Sequence, residues 1–120
     1  MRRPLPAYCG VEGTGTVVKS HDENLSSWVG KRVCFAASRG SWCDFAVATP
    51  NLVFEISKDV PLSSAASGIV NPLTVIGFVE NFKRLGGKGI IHTAAASSLG
   101  RMLNKLCIKE GIALLNLVRK

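Results

Sequence analysis

The stretch from Lys88 to Val118 constrains the fold of this chain more than any other. It contains the apolar run GIIHTA, the small residues AASS, the longer segment LGRMLNKLCIKEG and a second apolar run, IALLNLV. The longer segment has helical periodicity, with an apolar stripe on one face and a glycine that ends it. The apolar stripe consists of Leu99, Met102, Leu103 and Leu106, and Gly111 ends the helix. Strand, helix and strand within about thirty residues predict a βαβ unit.

The second apolar run of this unit carries two more expectations. Because IALLNLV is almost wholly apolar, it is typical of a strand buried on both faces of a parallel sheet. The connection between the two strands should be a right-handed crossover, as such connections nearly always are.

The first sixty residues have a different pattern, in which short β-branched and aromatic runs alternate with turn formers. The predicted strands are Gly10–Val18, Arg32–Ala36, Trp42–Ala48 and Leu52–Ile56. Short strands at this spacing indicate a barrel or a sandwich. The composition changes near Pro61, so we place a boundary between 1–60 and 61–120. The fold class is therefore mixed α/β, with a β-rich first part and a βαβ unit in the second.

Two helices are predicted between these regions. PLSSAASG predicts a short helical turn with Ser63 or Ser64 as its cap. NPLTVIGFVENFKRLGG predicts a longer helix, with Asn71 as N-cap, Pro72 at the first helical position and Gly86 as the terminator. Its apolar residues cover most of the circumference, so we expect this helix to be largely buried.

The composition excludes several classes of protein. The chain has 120 residues, of which 47% are hydrophobic and 19% are charged, so it should be globular and not disordered. It has neither an apolar run of about 18 residues nor the apolar core of a signal peptide, so we expect no membrane association. A cytoplasmic location is favoured, with mitochondria as the alternative.

The net charge of +7 is compatible with nucleic acid, an acidic membrane surface or a phosphorylated ligand. RNA binding is the minority interpretation, because the cations are dispersed and no aromatic residues interleave with them. The four cysteines contain no C-x-x-C pair, and the two histidines are isolated. Reduced cysteines and no metal site are therefore expected.

Two small-residue stretches compete as the phosphate-binding loop. A dinucleotide fingerprint needs a strand before it and a helix after it. GVEGTGTVV is followed by a β-branched run, so it is interpreted as a strand whose glycines allow close packing. TAAASSLG leaves a predicted strand and opens a predicted helix. Ala94, Ser97 and Gly100 stand at the three fingerprint glycines, and the hydroxyls of Ser97 and Ser98 could bind phosphate directly.

The end of the second strand indicates which dinucleotide would bind. About twenty residues after the fingerprint, NAD-binding proteins place an acidic residue that accepts hydrogen bonds from the ribose 2′-hydroxyl. This chain instead reads NLVRK, which places Arg119 and Lys120 there. Arginine can bind a 2′-phosphate with paired charged hydrogen bonds. We therefore expect NADPH as the cofactor, although two solvated basic residues in a loop are the simpler alternative.

The order of these pieces resembles the medium-chain dehydrogenase/reductase superfamily from Gly10 to Lys120. The motifs that carry the resemblance are GVEGTGTVV, VGKRV, GSWCDFAVATPNLVFEIS, SSAASGIVNPLTVIGFVE and IIHTAAASSLG. The zinc-independent NADPH:quinone oxidoreductases look most similar, and VNPLT and LNLVRK also resemble the trans-2-enoyl-thioester reductases. The resemblance implies a GroES-like partial barrel over 1–60, and a connecting helix with the first βαβ unit of a Rossmann domain over 61–120.

The resemblance also implies roles for individual residues. Asn71 and Thr74 correspond to the helix start that contacts the nicotinamide end of the cofactor. The pyrophosphate turn corresponds to Ser97, Ser98, Leu99 and Gly100. Arg119 and Lys120 correspond to the site of the adenosine 2′-phosphate. The reaction implied is hydride transfer from NADPH to a quinone or an α,β-unsaturated carbonyl such as an enoyl thioester, with the catalytic residues unknown.

Two departures from the family pattern qualify these expectations. Zinc-dependent members carry Gly-His-Glu where this chain has Gly10-Val11-Glu12, and valine cannot bind zinc, so no metal is expected. The family's members are far longer than 120 residues, so the chain resembles an internal fragment. Its exposed strand edges should pair with another copy, which predicts a homo-oligomer. The alternative is a non-catalytic remnant that binds nucleotide or acts as an interaction module.

Overall fold

A computed structural model describes residues 5–37 and 39–119. The fold is mixed α/β, and the chain divides after Ile69 into two compact units. The composition change near Pro61 precedes this division, so the short helix at Leu62–Ala65 belongs to the first unit. No helix of the described part of the chain is long and apolar enough to cross a membrane.

The first unit contains a three-stranded antiparallel sheet in the order β1-β2-β3. Its strands are β1 (Glu12–Thr16), β2 (Arg32–Ala37) and β3 (Ala48–Glu55), with a 3-10 helix at Glu23–Trp28 between β1 and β2. Thr14 pairs with Cys34, and Cys34 pairs with Phe54 on its other side. GVEGTGTVV is therefore a sheet strand, as predicted.

The core of the first unit lies where this sheet meets helix α1 (Leu62–Ala65). Its buried residues are Cys34, Ile56, Ala65 and Ile69. Two polar contacts hold the segments around it. Arg32 donates to the carbonyl oxygens of Lys58 and Val60 at 2.8 and 2.6 Å, and Glu12 accepts from the backbone N–H of Ile69 at 3.0 Å.

Two local predictions for the first unit are wrong. No strand runs from Trp42 to Ala48, where the chain bends, and β3 instead begins at Ala48 and passes through the predicted turn TPN. Pro50 is tolerated there because β3 is an edge strand, on which one side needs no donor. Neither Ser63 nor Ser64 caps α1, because the helix begins at Leu62, after Pro61, and both serines lie within it.

The second unit contains the predicted βαβ arrangement. Strand β4 (Ile90–His92) is followed by helix α3 (Ser98–Glu110) and strand β5 (Leu114–Asn116), and β4 and β5 are parallel. Gly111 ends α3 with φ of 66°, a left-handed conformation that glycine adopts without a steric penalty.

Helix α2 (Val70–Arg84) packs against α3 to form the core of the second unit. The buried residues are Val75, Val79, Leu103 and Cys107, with Leu99, Met102, Leu106, Ile90 and Leu114 packed around them. The predicted stripe of α3 is confirmed, since its four members all belong to this core. This core covers one face of the β4–β5 sheet, through Ile90 and Leu114.

Three predictions for the second unit need correction. Asn71 lies inside α2, which begins at Val70, so it is not the N-cap. Helix α2 is not largely buried, because Leu73 and Ile76 are 51% and 50% exposed. The strand β5 is not buried on both faces, because Leu115 is 57% exposed. Leu73, Ile76 and Leu115 are thus exposed apolar side chains of the second unit.

Candidate nucleotide-binding site

The turn between β4 and α3 has the strand–turn–helix context of a phosphate loop. Its last residue, Ser97, is the N-cap of α3. The Ser97 hydroxyl accepts from the backbone N–H of Gly100 at 3.0 Å and donates to the carbonyl oxygen of Ala94 at 2.7 Å. The Ser97 hydroxyl, which the sequence predicts as a phosphate ligand, thus forms hydrogen bonds that close the turn. The N–H groups of Ser98 and Leu99, at the first two helical positions, have no acceptor within the helix.

Gly100 allows the start of α3 to lie directly on this turn. A Cβ at position 100 would lie 2.5 Å from the carbonyl oxygen of Ala95 and 2.6 Å from that of Ala94. Both distances are far below a van der Waals contact, and both neighbours are backbone atoms, so neither can rotate away. Gly100 therefore has the packing role of the third fingerprint glycine, which brings helix and strand close together.

Asn71 and Thr74 are placed apart from this turn, at the start of α2. Both side chains are half-buried. The Thr74 hydroxyl donates to the carbonyl oxygen of Val70 at 2.7 Å, so its proton is used within the helix while its oxygen can still accept. Their assignment to the nicotinamide end of a cofactor stays a prediction.

Arg119 follows the end of β5 and is exposed. The backbone N–H of Leu117 donates to the carbonyl oxygen of His92 at 2.8 Å, which keeps the segment after β5 beside the end of β4. Arg119 therefore follows a segment held at the carboxyl ends of the two parallel strands, where ligands bind in sheets of this kind. Lys120 lies outside the described residues.

A groove of about 280 Å³ lies beside the turn, between α3 and the segment that follows β5. Its lining residues are Ala95, Ala96, Arg101, Asn104, Lys105, Asn116 and Val118. The Asn116 amide donates to the Asn104 side-chain oxygen at 3.1 Å and links the helix to the end of the strand. No lining residue is acidic, and Arg101 and Lys105 are its two charged residues.

Sequence reasoning missed the basic side of this groove. Arg101 and Lys105 lie four residues apart, directly after the fingerprint turn, so they share a face of the helix. That spacing is visible in the sequence, whereas the apolar stripe predicts only the buried face of the same helix. Nothing in the sequence indicates that Asn116 and Val118 form the other wall.

The described cysteine, histidine and acidic side chains do not line the groove. The backbone of Ile69 donates to Glu12, the acidic residue of the opening stretch. Burial raises the pKa of the Cys34 and Cys107 thiols, whereas Cys9 and Cys43 are exposed, and all four are free. Residues 5–37 and 39–119 contain no group of three or more His, Cys, Asp or Glu side chains that could hold a metal ion.

The Nδ1 atom of His92, at the end of β4, is buried without a hydrogen-bond partner.

The chain is similar to reductases along nearly its whole length. It is 33% identical to the mitochondrial enoyl-[acyl-carrier-protein] reductase of Arabidopsis thaliana over 99% of this chain and 32% of that protein. The corresponding enzyme of Xenopus tropicalis is also 33% identical, over 96% of this chain and 33% of that protein. The chain thus spans about a third of the length of these curated relatives. No protein-family model matches it.

Solved structures give the same result. A candidate NADPH:quinone reductase from Mesorhizobium loti is 38% identical, with a TM-score of 0.79 over 92% of this chain and 33% of that protein. One from Bacillus thuringiensis is 24% identical, with a TM-score of 0.74, and supports the fold alone. Over nearly its whole length, the chain is therefore similar to a segment of mitochondrial enoyl-[acyl-carrier-protein] reductases and of an NADPH:quinone reductase.

Proposed function

We propose that this chain contributes the NADPH-binding turn to an oxidoreductase. The observation that carries the proposal is the strand–turn–helix from β4 to α3, in which Gly100 permits the helix start to contact the turn. The basic groove beside it supports the same conclusion, because its side chains suit a phosphorylated ligand. The β-rich part over 1–60 would be a GroES-like portion, and 61–120 would begin a Rossmann domain.

The residues present fit a dinucleotide with a 2′-phosphate. The free N–H groups of Ser98 and Leu99, together with the Ser98 hydroxyl, would bind the pyrophosphate at the helix N-terminus. Ser97 and Gly100 would hold the shape of that turn. Arg119, with Lys120, would bind the 2′-phosphate by charged hydrogen bonds. Asn71 and Thr74 would contact the nicotinamide end.

The proposed reaction is reduction of a quinone or an α,β-unsaturated carbonyl without zinc. When bound, the nicotinamide would supply a hydride, and the protein would contribute orientation and hydrogen bonds. The absence of histidine at Val11 supports a zinc-free site. Because several relatives are named as mitochondrial enoyl reductases, an enoyl thioester is one of the two substrate classes. For the same reason, both the cytoplasm and mitochondria are proposed locations of the protein.

A second candidate is a remnant that binds NADPH without turnover. This candidate requires only the strand–turn–helix from β4 to α3 and the groove beside it. Fluorescence titration with NADPH, followed by turnover assays with a quinone and an enoyl thioester, separates the two candidates. Turnover of either substrate supports the enzyme, and binding without turnover supports the remnant.

The cofactor assignment is tested by the substitution Arg119→Asp. A carboxylate would repel the 2′-phosphate, so we expect NADPH affinity to fall by roughly 10- to 100-fold, the value of one charged hydrogen bond. The affinity for NADH should change by less than about threefold, because NADH has no phosphate there. Both affinities are measured by nucleotide fluorescence on the full chain.

Lys88→Asp is the matched control. It makes the same change of charge, but Lys88 precedes β4 and is exposed, at the amino end of the parallel sheet. NADPH affinity should change little in this variant. An equal loss of NADPH and NADH affinity in Arg119→Asp would refute the 2′-phosphate assignment.

A further inference from the structure

The basic groove of the second unit lacks an acidic counterpart. Residues 70–120 contain eight lysines and arginines but only two carboxylates, Glu80 and Glu110. Both carboxylates lie against Lys83, at 3.6 and 2.9 Å. Within the described residues of the second unit, Arg101 and Lys105 form no ion pair with a carboxylate, and both line the groove that reaches the end of β5.

The positions of these two cations disfavour the helix that carries them. Arg101 is the fourth residue of α3, near the helix end that bears partial positive charge, and the first turn contains no acidic residue to offset it. Lys105 lies four residues further on, so the pair also repels along one helix face. An anionic ligand in the groove would relieve both unfavourable interactions at once.

The groove lies on the β5 side of the turn and not at the tip of the helix. Asn116, the last residue of β5, is hydrogen-bonded to Asn104 across it, and Val118 lines it one residue before Arg119. Lys105 lies about 6 Å further along the helix axis than Arg101, away from the N–H groups proposed for the pyrophosphate. The groove is thus adjacent to the strand end where a dinucleotide-binding fold meets the adenosine ribose.

We propose that Arg101 and Lys105 bind the adenosine 2′-phosphate from the α3 side, opposite Arg119. This inference rests on the proposed NADPH function and adds specificity-determining residues to it. The arginine provides paired donors for the phosphate oxygens, and the lysine provides a second point charge. The preference for NADPH over NADH then depends on the helix as well as on the segment that follows β5.

The test uses the full 120-residue chain and the variants Arg101→Gln and Lys105→Gln. Four probes are titrated by calorimetry or fluorescence: 2′-AMP, 5′-AMP, NADPH and NADH. For Arg101→Gln we expect affinity for 2′-AMP and NADPH to fall by roughly 10-fold or more. Affinity for 5′-AMP and NADH should change by less than about threefold, and Lys105→Gln should show the same selectivity with a smaller loss.

Lys109→Gln is the control, because it removes a positive charge from the same helix at a residue that does not line the groove. Its nucleotide affinities should be unchanged. The thermal midpoints of the Arg101→Gln and Lys105→Gln variants should stay equal or rise, since each substitution removes a charge that disfavours the helix. A loss of binding would then not be explained by unfolding.

Three results would overturn the inference. An equal loss for all four probes in Arg101→Gln would show that the cation does not recognise the 2′-phosphate, because 5′-AMP and NADH lack that group. If Arg101→Gln and Lys105→Gln leave all affinities unchanged while Arg119→Asp weakens NADPH binding, the groove does not bind the 2′-phosphate. The proposed function would still hold in that case. Failure of the unsubstituted chain to bind any probe would refute both the inference and the proposed function.

Discussion

Gly100 is the residue whose role changes most between sequence and structure. In the sequence it is one small residue among several in TAAASSLG. In the structure it is the point at which α3 meets the backbone of the turn, with carbonyl oxygens where a side chain would begin. Ser97 is predicted to bind phosphate, but in the structure its hydroxyl caps α3. Its proton is already donated to the carbonyl oxygen of Ala94.

Gly100→Ala should destabilise the second unit by about 1–3 kcal/mol, because the new methyl group would overlap two backbone oxygens. The measurement is urea unfolding followed by circular dichroism. Gly77→Ala is the control within α2, where a Cβ would have no neighbour within 4 Å. Alanine there should stabilise by up to about 1 kcal/mol through helix propensity. Equal effects of the two substitutions would contradict the assigned contact.

At the level of elements, the two long helices show how far apolar periodicity can be interpreted. In α3 the apolar stripe is narrow, and it is the buried face, with Leu103 only 1% exposed. In α2 apolar residues surround the helix, which predicted general burial, yet only Val75 and Val79 are buried. A stripe identifies the side that packs, whereas an apolar circumference does not show which neighbours are present to cover it.

Leu103→Ala should lower the free energy of unfolding by about 2–5 kcal/mol, since Leu103 is fully buried between α2 and the β4–β5 sheet. Ile108→Ala, on the same helix, removes an apolar side chain that is 73% exposed and should cost less than about 1 kcal/mol. Thermal unfolding of the two variants compares them directly. Similar losses would mean that α3 presents a different face to its neighbours.

At the level of the whole chain, apolar surface remains open in the second unit. Within the described residues, β4 and β5 pair only with each other. Ile91 and Leu115 lie opposite each other across the two strands, and they are 67% and 57% exposed. Unpaired strand edges beside an exposed apolar face favour association.

The chain should therefore sediment as a dimer or larger species in analytical ultracentrifugation, and Ile91→Lys should shift it toward monomer by placing a charge on this face. Val18→Lys provides the control, because Val18 has the same 67% exposure but lies in the first unit. A monomer at all concentrations of the unsubstituted chain would refute the homo-oligomer prediction.

The sequence alone determined the βαβ unit, the stop at Gly111, the rejection of GVEGTGTVV as a phosphate loop and the resemblance to reductases. These features depend on periodicity and turn chemistry among neighbouring residues. Because such signals are local, they can be predicted from the sequence. The turn predicted at TPN was wrong because β3 is an edge strand that accommodates Pro50, and its edge position depends on pairing with a distant segment.

The tertiary packing determines which apolar faces are covered and which side chains form the groove. Arg101 and Asn116 are fifteen residues apart in sequence, and they line one site because the helix packs back beside the strand that follows it. The contact at Gly100 likewise depends on the path of the backbone through the turn. Burial and proximity are properties of pairs of distant segments, whereas sequence periodicity reports on one segment at a time.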